Sequence, residues 1–246
     1  DRANKAIVEK VIQPMILGDD PMDRDVIWHK VYNLLRDHGQ KGMPMQSLSG
    51  VDIALWDIAG KVMDQPLHKI IGGAHRTKVA VYGYGMMLKR ESVENHVARF
   101  KDEAAAIIAM GFKAAKMKTG LGPKNDVKLC EAVAQGVGRA PFMVDANHCY
   151  TTPDAFYVGR ALDEMEAYWF EEPVAPEDHD GYRELRAGLR TNISGGETEF
   201  NRWGWRQILE NRGLDIAQPE VCAVGGVSEY LRIQTLCHAH FTPVIN

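Results

Sequence analysis

The chain has 246 residues, 45% of them hydrophobic and 25% charged, with a net charge of −4. That composition suits a globular chain large enough for one barrel or two smaller domains, and its mild acidity offers no basic face to nucleic acid or to an anionic membrane surface. No apolar run approaches the roughly 20 residues that a membrane helix needs. The opening Asp1-Arg2-Ala3-Asn4 has no signal-peptide character, and the four cysteines, spaced by 19, 73 and 15 residues, match no CxxC zinc or redox pattern. A cytoplasmic location is expected, with the scattered cysteines acting as small buried hydrophobes.

Residues 1–77 read as helices. Ala6, Ile7, Val11 and Ile12 have helical spacing before Pro14; Ile27, Val31 and Leu34/Leu35 form a second stripe, ending near Gly39; Val51, Leu55, Ile58 and Val62 form a third, stopped at Pro66. From Lys78 to the end, short apolar runs alternate with amphipathic stretches. The runs are Val79–Tyr84, Ala114–Met117, Phe142–Val144, Tyr168–Phe170, Ile193–Gly195, Leu214–Ala217 and Phe241–Ile245. Between them, Ser92 precedes a helical stripe, Thr152-Pro153 reads as a cap followed by a first-turn proline, and Tyr182, Leu185 and Leu189 share a face. This alternation predicts an α/β fold with a parallel sheet and right-handed crossovers.

The alternation has a period. The polar residues at the ends of the apolar runs are Lys118, Asp145, Glu171, Glu197 and Glu220, separated by 27, 26, 26 and 23 residues. A repeated βα unit of about 25 residues, with polar groups at nearly every strand end, favours a closed barrel over an open sheet. On such a barrel Asp145, Glu171 and Glu197 face one another from successive strands. Three converging carboxylates repel, and a hard divalent cation such as Mg²⁺ resolves the repulsion while leaving positions open for substrate oxygen. Lys116 and Lys118 share one face of the preceding strand, with Met117 turned away. Two ammonium groups so close are expected to lower each other's pKa, which makes a lysine a credible general base.

These motifs resemble the mandelate racemase / muconate lactonizing enzyme family of the enolase superfamily, over nearly the whole chain. The resemblance is carried by Ser49-Gly50-Val51-Asp52-Ile53-Ala54-Leu55-Trp56-Asp57, Lys116-x-Lys118, Val144-Asp145-Ala146-Asn147, Phe170-Glu171-Glu172-Pro173, Gly195-Gly196-Glu197-Thr198, and Gln218-Pro219-Glu220 followed by Gly225-Gly226. It implies a modified (β/α)₇β barrel under an α+β capping domain, of which residues 1–77 are mainly the helical part and 78–246 the barrel without its last strand. It further implies one Mg²⁺ per site, a small carboxylate substrate, a homo-oligomer, and a first step in which the α-proton is removed and the metal stabilises an enediolate, a pattern that the superfamily exemplifies. In that alignment Lys118 is the base, Lys116 its partner, and Asn147, Glu172 and His148 are supporting or substrate-facing groups.

Two departures bear on the reaction. The racemase-like subgroup pairs an Asp at the end of the sixth strand with a His on the seventh. Here the sixth-strand position holds Glu220, which either accepts from an imidazole or merely caps the following helix, and the family spacing puts the His just after Asn246, so the chain is expected to be part of a longer protein. The lactonizing subgroup carries a lysine shortly after the sixth-strand proline, whereas this stretch reads Val221-Cys222-Ala223-Val224. That stretch argues for the racemase/dehydratase side, and because most racemase-like members with this layout are acid-sugar dehydratases, the resemblance implies dehydration of an acid sugar to a 2-keto-3-deoxy acid. Racemisation or epimerisation of a 2-hydroxy acid is the alternative, and a barrel that binds without turnover, or acts through a Schiff base on Lys118, is a reading of a different kind.

Overall fold

A computed structural model describes residues 2–245; Asp1 and Asn246, which bound the readings of the two chain ends, lie outside the described residues. Six short strands form one parallel sheet in sequential order, from β1 to β6. They are β1 (Gly83–Tyr84), β2 (Ala115–Lys118), β3 (Phe142–Asp145), β4 (Trp169–Glu171), β5 (Asn192–Gly195) and β6 (Ile216–Ala217). The helices are α1 (Arg2–Ile7), α2 (Gln13–Ile16), α3 (Arg24–Leu35), α4 (Met43–Met63), α5 (Leu67–Ile70), α6 (Val93–Ala109), α7 (Pro123–Val137), α8 (Thr152–Glu164), α9 (His179–Gly188), α10 (Arg202–Glu210) and α11 (Gly226–Ala239). From β1 onward one helix follows each strand, the pattern predicted from the alternating runs. No described helix is long and apolar enough to cross a membrane.

The chain divides into two compact units. One comprises Lys78–Gly195 and Glu210–Ala217 and contains the whole sheet. Its strands are buried on both faces, which is why they read as continuous apolar runs rather than alternating ones. The expected caps are present with one shift. Ser92 Oγ accepts from Asn95 N at 3.2 Å at the start of α6. At α8 the cap is Thr151 rather than Thr152, whose hydroxyl instead donates to Asp178 Oδ2 at 2.8 Å and ties the starts of α8 and α9 together.

The other unit comprises Asp1–Thr77, Gly196–Leu209 and Gln218–Asn246. Its apolar core is Ile12, Ile27, Trp28, Val31, Tyr32, Leu35, Met45, Leu48 and Leu55. The stripe predicted on α4 is rotated: Ile58 and Val62 are exposed, while Leu48, Ser49, Asp52, Leu55 and Ala59 are buried. The reason is polar. Asp52 accepts from Ser228 N at 2.9 Å and from Ser228 Oγ at 2.6 Å, so a side chain from α4 caps α11. Ser49 Oγ accepts from Gly225 N at 2.9 Å, and Trp28 Nε1 donates to Gly225 O at 2.8 Å. Gly226 has a φ of +83°, and a Cβ there would run into the Asp52 carboxyl group, so the turn before α11 needs glycine.

The first helical stripe continues through a π-helical turn at Val8–Ile12 into α2, with Pro14 in the first turn of that helix. The run Phe241–Ile245 reaches only a β-bridge position, at Val244, among the described residues; Phe241 sits in a turn with a φ of +56° and is 96% exposed. Phe241 N and Thr242 N donate to His238 O and Cys237 O, so the start of the run closes α11.

Asp52→Ala leaves Ser228 N without its acceptor in a buried place. It is expected to lower unfolding stability by about 1–3 kcal/mol, read from urea denaturation.

Candidate active site

The register of the sheet sets the site. Lys118 lies opposite Asp145, and Asp145 opposite Glu171, at the carboxyl ends of β2, β3 and β4. Side chains in one such row stand on the same face, so chain pairing alone brings these three together. Lys116, two residues back on the same face, reaches both acids: its Nζ is 2.7 Å and 2.9 Å from the two Glu171 oxygens and 3.3 Å from Asp145 Oδ2. Lys118 Nζ is 2.5 Å from Asp145 Oδ2 and also donates to Asn147 Oδ1. Glu171 Oε2 accepts from Trp169 Nε1 at 2.9 Å, and Asp145 Oδ1 accepts from Asn147 N at 3.1 Å. Asp145 and Glu171 are 1% and 2% exposed. Buried carboxylates at this depth require compensating positive charge, and the two lysines supply it.

The electrostatics reverse one expectation. Burial pushes the Lys116 ammonium down, but the charge of Glu171, its hydrogen bond and Asp145 outweigh burial, and the net shift is upward. Lys118 is likewise raised: burial lowers it, the hydrogen bond and charge of Asp145 raise it, and the Lys116 charge lowers it only as a minor contribution. The like-charge effect predicted for the pair is present and loses to the carboxylates. Asp145 is held below the ordinary carboxylate range, because its lysine partners outweigh its burial.

A second polar group adjoins the first. Glu172, 1% exposed, pairs with His148 Nε2 at 3.0 Å and accepts from Asn147 Nδ2 at 3.4 Å. Asn147, His148 and Glu172 all have left-handed backbone, with φ of +40°, +64° and +46°. Non-glycine residues in that region cost of order 1–3 kcal/mol each and gather at functional sites. His148 is part of this network through its contact with Glu172. Tyr82 and Tyr84, which the sequence reading did not single out, set their rings 5.8 Å and 5.5 Å from Lys116 Nζ. Their signal was the same period-two alternation that places Lys116 and Lys118 on one face.

Glu197 and Glu220 belong to the other compact unit, and both are exposed. Glu197 follows Gly196, whose φ of +116° and closeness to the Trp205 ring exclude any side chain. Glu220 Oε1 accepts from Cys222 N at 2.8 Å, and its carbonyl accepts from Ala223 N and Val224 N. It therefore caps the turn before α11, which is one of the two roles foreseen for it. Among the described residues, no three His, Cys, Asp or Glu side chains are gathered as a metal cage. Asp145 and Glu171 nonetheless fit a hard divalent cation: they are paired, buried oxygen donors whose charge must be met by a cation, here an ammonium.

An α/β fold with parallel strands that present buried lysines and carboxylates at their carboxyl ends is the class of protein that performs chemistry at a strand rim. Residues 1–72 match the mandelate racemase / muconate lactonizing enzyme N-terminal domain, and residues 99–246 match the enolase C-terminal domain-like family. The chain belongs to the mandelate racemase / muconate lactonizing enzyme family of the enolase superfamily. It is 39% identical to the D-galactarolactone cycloisomerase of Agrobacterium fabrum, over 99% of this chain and 64% of that protein. It is 33% identical to the arabinonate dehydratase of Saccharolobus solfataricus, over 99% of this chain and 65% of that protein. The crystal structure of a racemase from Streptomyces coelicolor with bound magnesium superposes with a TM-score of 0.92 at 31% identity, covering 99% of this chain and 67% of that one. The chain thus spans a little under two thirds of the length of these two curated relatives.

A carboxylate whose pKa is depressed on folding adds stability above its unfolded pKa and loses it as the pH falls through the folded value. Wild-type stability should accordingly decline as the pH drops below about 4. Asp145→Asn should show a shallower decline over the same interval, read as the urea midpoint against pH.

Proposed function

We propose that this chain carries the proton-abstracting centre of a Mg²⁺-dependent enzyme acting on an acid sugar. The observation that carries the reading is the row Lys118–Asp145–Glu171 with Lys116 bridging its acids, buried at the strand ends. Asp145, Glu171 and Glu197 would hold the ion. Bound there, Mg²⁺ supplies positive charge against the dianion that forms when the substrate loses its α-proton. The magnesium in the Streptomyces racemase supports this assignment.

The chain's own residues divide the remaining work. Lys118 takes the α-proton. Asp145 holds Lys118 protonated, and a divalent cation held by Asp145 and Glu171 would offset that carboxylate charge and make the amine available as a base. Lys116, anchored on Glu171, stays charged and faces the substrate carboxylate. Asn147 fixes the Lys118 amine through its side-chain oxygen, and the Glu172–His148 pair holds Asn147 and the left-handed turn in place. The electrons of the broken C–H bond form a C=C bond, and the β-oxygen leaves with the electron pair of its C–O bond and takes up a proton from a general acid. If that oxygen is a free hydroxyl it departs as water, and the enol product tautomerises to a 2-keto-3-deoxy acid.

A second reading has a specific support. The Agrobacterium relative is a cycloisomerase of a lactone, so the β-oxygen expelled here is alternatively a ring oxygen, and the product is then an isomer of the substrate. Racemisation shares the first step but keeps the β-oxygen in place. A panel of acid sugars and their lactones with Mg²⁺, followed by mass spectrometry and a keto-acid assay, separates the three. Loss of one water with a keto acid is the expected result. An unchanged mass with a keto acid favours ring opening, and α-deuterium exchange without a keto acid favours the racemase.

Lys118→Met should reduce turnover by about 10²–10⁴-fold. Glu171→Gln and treatment with EDTA should each abolish it with the fold intact. Activity untouched by EDTA removes the metal from the reading, and borohydride trapping of substrate on Lys118 replaces it with a Schiff base.

A further inference from the structure

The segment between β1 and α6 is fastened to α6 almost residue by residue. Met86 N donates to Glu103 Oε2 at 2.7 Å, and Met87 O accepts from Arg99 Nη2 at 2.9 Å. Lys89 N donates to His96 Nε2 at 3.1 Å. Arg99 Nε donates to Glu91 Oε1 at 2.8 Å, and its Nη1 to Glu103 Oε1 at 2.9 Å. One guanidinium thus joins a main-chain carbonyl and two carboxylates, a fork geometry that lysine cannot reproduce. Met86, at the centre, is fully buried with a φ of +54°. A non-glycine residue in that conformation is a strained one that its surroundings must hold.

The other side of the same segment is the wall of the lysine pair. The β1–β2 ladder runs on past β1: Gly85 N donates to Lys116 O at 3.3 Å, and Lys118 N to Met86 O at 3.4 Å. Tyr84, half exposed, lies opposite Lys116, with its ring 5.5 Å from Lys116 Nζ and 6.0 Å from Lys118 Nζ. The main chain of Lys118 and the aromatic face beside its ammonium are therefore both set by residues that Arg99 and Glu103 hold.

We infer that Arg99 is a positioning residue for Lys118, acting through the 85–91 segment. The inference rests on the proposed role of Lys118 and deepens it. Such a placement matters because an error of about 1 Å at a reacting group costs on the order of 10²-fold in rate. Arg99 touches neither substrate nor the reacting atoms, and its effect has to pass through the Met86–Lys118 backbone contact and the Tyr84 ring.

The test compares full-length wild type with Arg99→Met and Glu91→Gln. The second variant removes one partly buried carboxylate partner and leaves the fold in place if the first fails to fold. Amide hydrogen exchange over residues 85–91 should speed up in both. The ¹⁵N resonance of the Lys118 ammonium, assigned through Lys118→Arg, should move in both, with Mg²⁺ absent and present. With an acid sugar that turns over, kcat should fall about tenfold while KM changes less than about threefold, and Arg99→Lys should restore only part of the loss. An unmoved Lys118 resonance beside faster loop exchange overturns the inference, as does a raised KM at unchanged kcat. A wild type that exchanges no α-proton from any acid sugar counts against the proposed function instead, and leaves the resonance result to decide the role of Arg99.

Discussion

The interaction on which the site depends is the alternation of ammonium and carboxylate along one row of the sheet. Lys118, Asp145 and Glu171 are neighbours because their strands pair in that register, and Lys116 completes the row from two residues below. Each acid is too deeply buried to stay ionised alone, and Lys116 is buried beside them while Lys118 is half-buried at the rim. Together they neutralise one another where partial burial strengthens the attraction. The strand ends, the tryptophan under Glu171 and the asparagine beside Lys118 all serve to hold this charge pattern in place.

The same pattern explains why the lysines are held protonated. Asp145 and Glu171 are the anions they touch, and that attraction outweighs both burial and the repulsion between the two ammonium groups. The protonation of the pair is therefore set by the acids around it and not by the lysines alone.

Much of this was legible in the chain. The strand–helix order followed from the apolar runs, and the residues of the row followed from their spacing of 27 and 26. The direction of the lysine shifts was not legible, because it depends on distances between strands that spacing does not give. The buried face of α4 was missed for a related reason. A hydrophobic stripe was sought, but the helix turns Ser49 and Asp52 inward to hold the turn at Gly225–Ser228, contacts across more than 170 residues of sequence. The family motif in that helix is therefore largely a joint between distant segments. The run Phe241–Ile245 pairs only at Val244, because its first two residues close α11. The fastening of the 85–91 segment left no pattern to find, since Arg99, Glu103 and Glu91 look like ordinary surface charges of an amphipathic helix.

The left-handed residues at Asn147, His148 and Glu172 limit what descendants of this chain can become. β-Branched side chains are nearly barred from such backbone, and asparagine, aspartate, histidine and glycine are the residues that tolerate it best. Asn147 and His148 come from that set, whereas Glu172 does not and keeps its conformation through its bonds to His148 and Asn147. A β-branched substitution at any of the three therefore carries a backbone cost before it changes a single contact.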